Sequence, residues 1–286
     1  MENNAGRILQ QIQNYEGFPA AASQVISIAN DPAASASQME KALKFDQTMT
    51  ANILRLANSA YYGRSSKVGS LREAVVIVGF GKLAEMVVTA YLKSLSDRPL
   101  KGYDLPAGDL LTHALTVAVA ADELRKAMGR VTGGNYFTAA LLHDIGKLIL
   151  GQFLSEEIIQ IEALTSIGVP FEEAESKVLG INHAEAGGLI LEKWKLPEEI
   201  VQAVRWHHDP DHAPSDWQFI VDLVHVANTI AMMIGIGTGR EGLQYLPSAA
   251  SAERLGLELR QIEWVASETL LKAESLAEAI ETNDRG

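Results

Sequence analysis

The chain has 286 residues, 47% of them apolar, and a formal charge of −12 at pH 7. A chain of this size and apolar content can bury one large core or two ordinary ones. Its negative charge disfavours nucleic acid and anionic membrane surfaces as partners. There is no cysteine, so disulfides and thiolate metal ligands are excluded, and nitrogen and oxygen must hold any metal.

The N-terminus and the most apolar segment both favour a cytoplasmic protein without a membrane partner. The first residues, MENNAGRILQQ, lack the cationic and apolar regions of a signal peptide. The longest apolar helix candidate, residues 219–237, is interrupted by Asp222, His225 and Asn228. Polar groups at these positions predict a buried helix rather than a membrane span.

The spacing of apolar residues is helical almost everywhere, and no convincing strand with a period of two appears. Ser70 followed by Glu73 forms a capping box that predicts a helix start at Leu71. Ser215 with Gln218 predicts a second start of the same kind. The chain is therefore predicted to be all-α.

Proline and glycine cluster in residues 97–109, the one substantial break in the chain. We place a boundary there and predict a two-lobed helical protein. An amphipathic helix from about Glu258 to Ile280 ends the chain and leaves both a monomer and a homodimer open. The predicted units are an N-terminal helical lobe over residues 1–100, a helical core over 101–240 and a C-terminal helical extension over 241–286.

Histidines carry the strongest chemical signal, because six of the seven lie between residues 113 and 212. One buried histidine is more often a hydrogen-bonded core residue than a ligand, but several histidines joined by an aspartate can hold zinc, iron or manganese inside a helical bundle. Asp109 precedes His113 by four residues, so both face one side of a helix. His143 and Asp144 lie about 100° apart on a helix, which allows both to approach a metal near the helix end.

The order of these residues resembles the HD superfamily of metal-dependent phosphohydrolases. In chain order the matching residues are His113, the doublet His143-Asp144 followed by Ile-Gly-Lys, His183, and His207-His208. The resemblance to the HDOD domain, an HD-related helical module of bacterial signalling proteins, is more specific and covers about residues 10–235. It rests on LANSAYYG, SLREAVVIVGFGKL, LLHDIGKLIL, HAEAGGLILEKWKLPEEIVQAVRWHH and VHVAN. It implies an HD-like helical bundle that follows an N-terminal helical lobe.

The resemblance also implies a ligand set for one or two divalent transition metals, which would be iron, manganese or zinc. In an active enzyme, Asp144 and Lys147 would be the catalytic residues, since Lys147 matches a lysine that contacts substrate phosphate in the related HD-GYP phosphodiesterases. The implied metal ligands are His113, His143, Asp144, His183, His207 and His208, with Asp109, His225 and Asn228 as additional candidates.

Two departures from the HD pattern bear on catalysis. Asn228 stands where a late aspartate is expected, and the Gly-Tyr-Pro signature is absent after His208. Asp222 lies six positions before Asn228 and points elsewhere on a helix, whereas His225, three positions before it, shares nearly the same face. We favour a hydrogen-bonded core role for His225 over a compensating one.

These observations favour a signalling or regulatory HDOD module whose HD-type pocket serves as a ligand sensor or metal site. Its expected partners are signalling proteins or a nucleotide-type ligand. The alternative is a metal-dependent phosphohydrolase or phosphodiesterase acting on a nucleotide or cyclic dinucleotide. A third hypothesis is that the HD residues form a metal-free polar network in the core.

A basic stretch from Arg55 to Lys82 surrounds Tyr61 and Tyr62 in this acidic chain. It is open to an anion or nucleic-acid contact, but we favour a solvated helical face. The string VGFGKLAE lacks a preceding strand and a lysine-serine pair, so it is excluded as a phosphate-binding loop. The basic residues of the stretch are Arg55, Arg64, Lys67, Arg72 and Lys82, against Glu73 alone.

Overall fold

The structure is a computed structural model. It describes residues 4–15, 18–43, 47–62, 67–129, 135–242 and 247–281.

The described residues are helical, and their only β-type pairing is an isolated bridge between Leu100 and Leu105. The all-α prediction is therefore confirmed. The N-terminal helices are α1 (Asn4–Asn14), α2 (Ala20–Ala29), α3 (Ala36–Leu43), α4 (Gln47–Ala57), the 3-10 turn Ala60–Tyr62 and α5 (Leu71–Ser96).

The central helices follow the predicted break at residues 97–109, where the chain makes the 3-10 turn Lys101–Tyr103. They are α6 (Asp109–Ala127), α7 (Asn135–Leu142), α8 (Lys147–Thr165), α9 (Phe171–Leu179), α10 (His183–Lys193), α11 (Glu198–Trp206) and α12 (Gln218–Met233). The C-terminal helices are α13 (Ala249–Leu255) and α14 (Leu259–Glu281).

The two predicted helix starts have different outcomes. The Ser70 hydroxyl accepts a hydrogen bond from the Glu73 N–H at 3.2 Å, so the first capping box is confirmed. The second prediction is wrong, because α12 begins at Gln218 without a side-chain cap and Ser215 opens a short 3-10 turn instead. The Gln218 amide donates to the Pro210 carbonyl at 2.7 Å, which uses the side chain that the predicted cap required.

Helix α6 runs through the middle of the molecule. It packs against α5, α7, α12 and α14, and every residue from Leu115 to Leu124 is buried. Its sequence, rich in alanine and valine, suits a helix that is surrounded on all sides. This position carries His113 into the core. One continuous apolar cluster extends from Ile8 to Ile280. The division of the chain into the three predicted units stays a prediction.

Two segments are long and apolar enough to cross a membrane by length and composition. They are Leu71–Ser96 and Asn135–Thr165, and their most apolar windows are 61% and 89% buried inside the fold. Burial of this kind is typical of core helices in a folded domain.

Candidate metal centre

The six predicted ligands and Lys147 come from separate parts of the core and meet around one carboxylate. His143 and Asp144 lie in the turn between α7 and α8, just beyond the helix on which the sequence placed them. Lys147 opens α8, His183 opens α10, His113 lies on α6, and His207 and His208 follow α11.

The Asp144 carboxylate is at the middle of this cluster. Its Oδ2 atom lies 3.3 Å from His143 Nε2 and 3.6 Å from His113 Nε2. Its Oδ1 atom lies 3.3 Å from His183 Nε2 and 3.9 Å from His207 Nε2. Each carboxylate oxygen therefore faces two histidines.

Two sets of ligand-type atoms share Asp144. Within each set the ligand-type atoms lie within 4.8 Å of one another. A carboxylate shared by two ligand groups is the arrangement expected of a two-metal site. The sets are His113, His143 and Asp144, and Asp144, His183, His207 and His208.

Outer hydrogen bonds fix which nitrogen of each imidazole faces Asp144. The Nδ1 atoms of His113, His143 and His207 contact backbone carbonyls of Ile236 at 2.9 Å, Ala140 at 2.7 Å and Val204 at 2.6 Å. A carbonyl only accepts, so each Nδ1 carries the proton and each Nε2 keeps its lone pair. This is the tautomer that binds metals through Nε2.

His183 is oriented by a carboxylate instead. The Glu175 Oε2 atom accepts from His183 Nδ1 at 2.7 Å, and the Glu175 Oε1 atom accepts from the Tyr103 hydroxyl at 2.6 Å. Glu175 was not among the predicted site residues. Its signal was present, since Glu175 occupies the buried face of α9 beside Phe171 and Ala174, a position where a carboxylate needs a partner.

Glu241 is the second residue that the sequence analysis missed. Its Oε1 atom lies 2.8 Å from Lys147 Nζ, which is also 2.8 Å from Asp144 Oδ2. Glu241 lies in a glycine-rich connection with no helical pattern, so nothing in its local sequence singled it out. The Lys147 side chain is 3% exposed, and its ammonium group is held between two carboxylates.

A close backbone contact at Gly146 brings α8 against α10. A Cβ atom on Gly146 would lie 2.0 Å from the His183 carbonyl oxygen and 2.7 Å from the Gly187 nitrogen. Only glycine allows this approach. The contact explains the glycine after His143-Asp144-Ile145, because it lets the start of α10 present His183 to Asp144.

Burial and charge set the protonation of the centre. Burial lowers the pKa of His113 to about 4 and that of His207 well below its usual value, so both imidazoles are neutral at pH 7. Burial also opposes the charged form of His183, but Glu175 and Asp144 raise its pKa to about 10. Burial opposes the charged form of Asp144, but its contacts with His143 and with the Lys147 ammonium group hold its pKa well below the usual range.

The additional candidates do not join the grouped ligands. Asp109 opens α6, is partly exposed and belongs to neither set. His225 uses both nitrogens, since Nδ1 donates to the His207 carbonyl at 2.7 Å and Nε2 accepts from the Ser248 N–H at 2.8 Å. Asp222 binds Arg254 at 2.6 Å. Asn228 is buried, and its Oδ1 atom has no hydrogen-bond partner among the described residues.

The cluster fits a divalent transition metal. The buried Nε2 atoms of His143 and His207 have no hydrogen-bond partner among the described residues, although each faces the Asp144 carboxylate. Leaving such atoms unpaired in a core costs about 1–3 kcal/mol each. Imidazole nitrogen and carboxylate oxygen without thiolate are ligands that zinc, iron and manganese accept.

Solved structures share this helical architecture. An HDOD domain protein of unknown function from Geobacter sulfurreducens is 25% identical, with a TM-score of 0.73 over 96% of this chain and 92% of that one. A protein from Shewanella amazonensis SB2B, described as a candidate phosphohydrolase, is 22% identical, with a TM-score of 0.72 over 96% of this chain and 98% of that one.

Sequence comparison gives the same family. An uncharacterized protein of Treponema pallidum (strain Nichols) is 24% identical over 234 residues, which are 81% of this chain. The chain spans about half of that relative, 45% of its length. Residues 17–210 match the HDOD domain. The match covers more than half of the chain and includes the six grouped His and Asp residues from His113 to His208. The chain therefore belongs to the HDOD domain family.

Proposed function

We propose that this HDOD chain is a bacterial signalling module whose His/Asp centre holds one or two divalent transition metals and acts as a regulatory pocket. The orientation of the four imidazoles around Asp144 carries the proposal. Each Nδ1 atom is bound by an outer acceptor, and each Nε2 atom is directed towards one carboxylate. A bound metal would give the Nε2 atoms of His143 and His207 the partner that they lack among the described residues.

The arrangement of Lys147 favours regulation over turnover. A lysine that holds a substrate phosphate must present its ammonium group to the substrate. In this chain the ammonium group lies 2.8 Å from both Asp144 and Glu241 and is buried. Asn228 in place of an expected aspartate removes one anionic ligand, which weakens metal retention and charge balance at the centre.

The second candidate is a metal-dependent phosphohydrolase, and the sharing of Asp144 by both ligand sets favours it. In that case His113, His143, Asp144, His183, His207 and His208 would hold the metals, which supply Lewis acidity towards a phosphoester and an activated water. Glu175 would keep His183 oriented. Lys147 would have to leave Glu241 to reach a phosphate oxygen.

Elemental analysis of the purified protein beside a variant with both His143→Ala and Asp144→Ala tests the centre. We expect near-stoichiometric iron, manganese or zinc that disappears in the variant. His212→Ala is the matched control, because the His212 side chain is 77% exposed, lies 2.7 Å from Asp209 and belongs to neither ligand set. Equal metal content in all three proteins would overturn the proposal.

Hydrolysis of p-nitrophenyl phosphate and bis(p-nitrophenyl) phosphate then separates the two candidates. The regulatory proposal predicts a metal-loaded protein without turnover and with a metal-dependent rise in thermal stability. Turnover that requires the metal and is lost in the double variant would contradict the regulatory proposal and support the phosphohydrolase. We also propose a cytoplasmic location, with signalling proteins or a nucleotide-type ligand as partners.

A further inference from the structure

A cavity lies apart from the His/Asp centre and shares no residue with it. Its volume is about 480 Å³, within the range of small-molecule sites. The 3-10 turn Ala60–Tyr62 and helices α5, α6 and α14 surround it. The lining that matters for its chemistry consists of Tyr61, Tyr62, Lys82, Arg125, Lys126 and Lys272.

Four cations converge on this cavity from three helices that are distant in sequence. We call Lys82, Arg125, Lys126 and Lys272 the cation cluster. Their side chains are 24% to 45% exposed. The basic stretch that the sequence analysis assigned to a solvated face thus contributes Lys82 to a concave site, while Arg64 lies outside the described residues.

Buried carboxylates pair with members of the cation cluster and hold them in place. Glu85 binds Lys82 at 2.8 Å, Asp122 binds Lys126 at 2.7 Å, and Glu123 lies 2.9 Å from Lys272. These carboxylate side chains are only 1% to 6% exposed. Each of the three lysines is therefore anchored by a buried carboxylate while its side chain stays partly exposed, so the cluster is organised before a ligand arrives.

The charges leave room for an anion. Four cations and one carboxylate, Asp122, line the cavity, whereas Glu85, Glu123 and Glu268 pair with the cations and are not among its lining residues. Burial raises the pKa of Glu85 to about 7, so part of its negative charge is absent near neutral pH. A dianionic phosphate placed among these cations gains charge-assisted hydrogen bonds.

The rest of the lining includes aromatic and apolar side chains. The Tyr61 and Tyr62 rings pack edge to face with centroids 4.9 Å apart, and Leu271 completes the lining from α14. The Asn58 side chain clamps this segment, since it donates to the Val68 carbonyl at 2.9 Å and accepts from the Val68 N–H at 2.7 Å. A flat ring can stack against such side chains.

We propose that this cavity is a second ligand site, which binds a mononucleotide with its phosphate on the cation cluster and its base against the tyrosines. The recognition uses side chains, in agreement with the exclusion of a phosphate-binding loop in residues 78–85, which lie where α5 kinks at Gly79. Lys272 and Leu271 belong to α14, outside the residues that match the HDOD family. The C-terminal extension therefore completes the site.

Calorimetric titration of the full chain with AMP and GMP, in EDTA and phosphate-free buffer, tests the site. We expect binding that weakens by about tenfold in Lys272→Gln and in Lys126→Gln, because each removes one charge-assisted contact to phosphate. We expect adenosine and guanosine, which lack the phosphate, to bind at least about tenfold more weakly than AMP and GMP.

Two controls locate the binding. Lys177→Gln is matched to Lys272→Gln, since Lys177 also pairs with a glutamate four residues earlier and is 52% exposed. It should bind like the wild type, and so should His143→Ala, which changes only the His/Asp centre. Absence of AMP and GMP binding, equal binding of the nucleosides, or unchanged affinity in both Lys272→Gln and Lys126→Gln would overturn the proposal.

Discussion

Glu175 binds His183 twice through one oxygen. The Oε2 atom accepts from the imidazole Nδ1 at 2.7 Å and from the His183 backbone N–H at 2.9 Å. The two bonds fix both the ring and the first residue of α10. Because Tyr103 occupies the other carboxylate oxygen at 2.6 Å, Glu175 has a single orientation and transmits it to His183.

Glu175→Gln should weaken metal binding by about tenfold or more while the fold is kept, because the amide is neutral and holds the His183 imidazole less firmly. Titration of zinc against a competing chelator dye measures the change. Glu173→Gln is the matched control, as Glu173 lies on the same helix and is exposed. Equal zinc affinity in the two variants would contradict a role for Glu175 at the centre.

Gly146→Ala should destabilise the protein by about 1–3 kcal/mol, because its Cβ atom would overlap backbone atoms that cannot move aside cheaply. It should also lower metal affinity, since α10 must shift and His183 moves with it. Urea unfolding and zinc titration measure both effects. In Gly81→Ala, where nothing lies within 4 Å of the added Cβ, stability should be unchanged or higher. Wild-type behaviour of Gly146→Ala would contradict the close contact.

Asn228→Asp should lower the stability of the metal-free protein by about 1–3 kcal/mol, since it buries a carboxylate where the amide oxygen already lacks a partner. If this position serves the centre, added zinc or manganese should restore more stability in the variant than in the wild type. Thermal unfolding with and without metal measures the difference. Asn52→Asp, on α4, is the control. A loss that metal does not relieve would separate Asn228 from the centre.

Glu85→Gln should change the pH dependence of unfolding. Burial raises the pKa of Glu85 from 4.5 to about 7, against the opposing charge of Lys82, so the fold prefers the protonated form. The contribution is fully present below pH 4.5 and is lost as the pH rises through 7. The uncharged variant should differ from the wild type by less than about 1 kcal/mol at pH 5 and exceed it at pH 8, by at most about 3 kcal/mol.

Urea unfolding at pH 5 and pH 8 measures this difference. Asp122 and Arg125 on α6 also act on Glu85, so the comparison is made between variant and wild type at each pH. Glu173→Gln, which removes an exposed carboxylate, should show no such divergence. A wild type and Glu85→Gln that stay equally stable at pH 8 would refute the raised pKa.

The helical class and the types of candidate ligand can be predicted from the amino-acid sequence alone. Apolar spacing is a local property, so it predicted the last helix as 258–280 where the structure has Leu259–Glu281. The motif order around His143 and Asp144 identified the family. Glu175 was within reach of the same reasoning, because a carboxylate on the buried face of α9 requires a partner.

The packing of the helices sets which groups share Asp144, pairs Lys147 with Glu241, and brings Lys82, Arg125 and Lys272 around a cavity. These contacts join residues that are far apart in the chain and leave no periodic trace in their own segments. A carboxylate in a glycine-rich connection or a lysine on a helix face looks solvated in sequence. Its partners exist only once the helices pack, because charge pairing depends on distance in space and not on spacing along the chain.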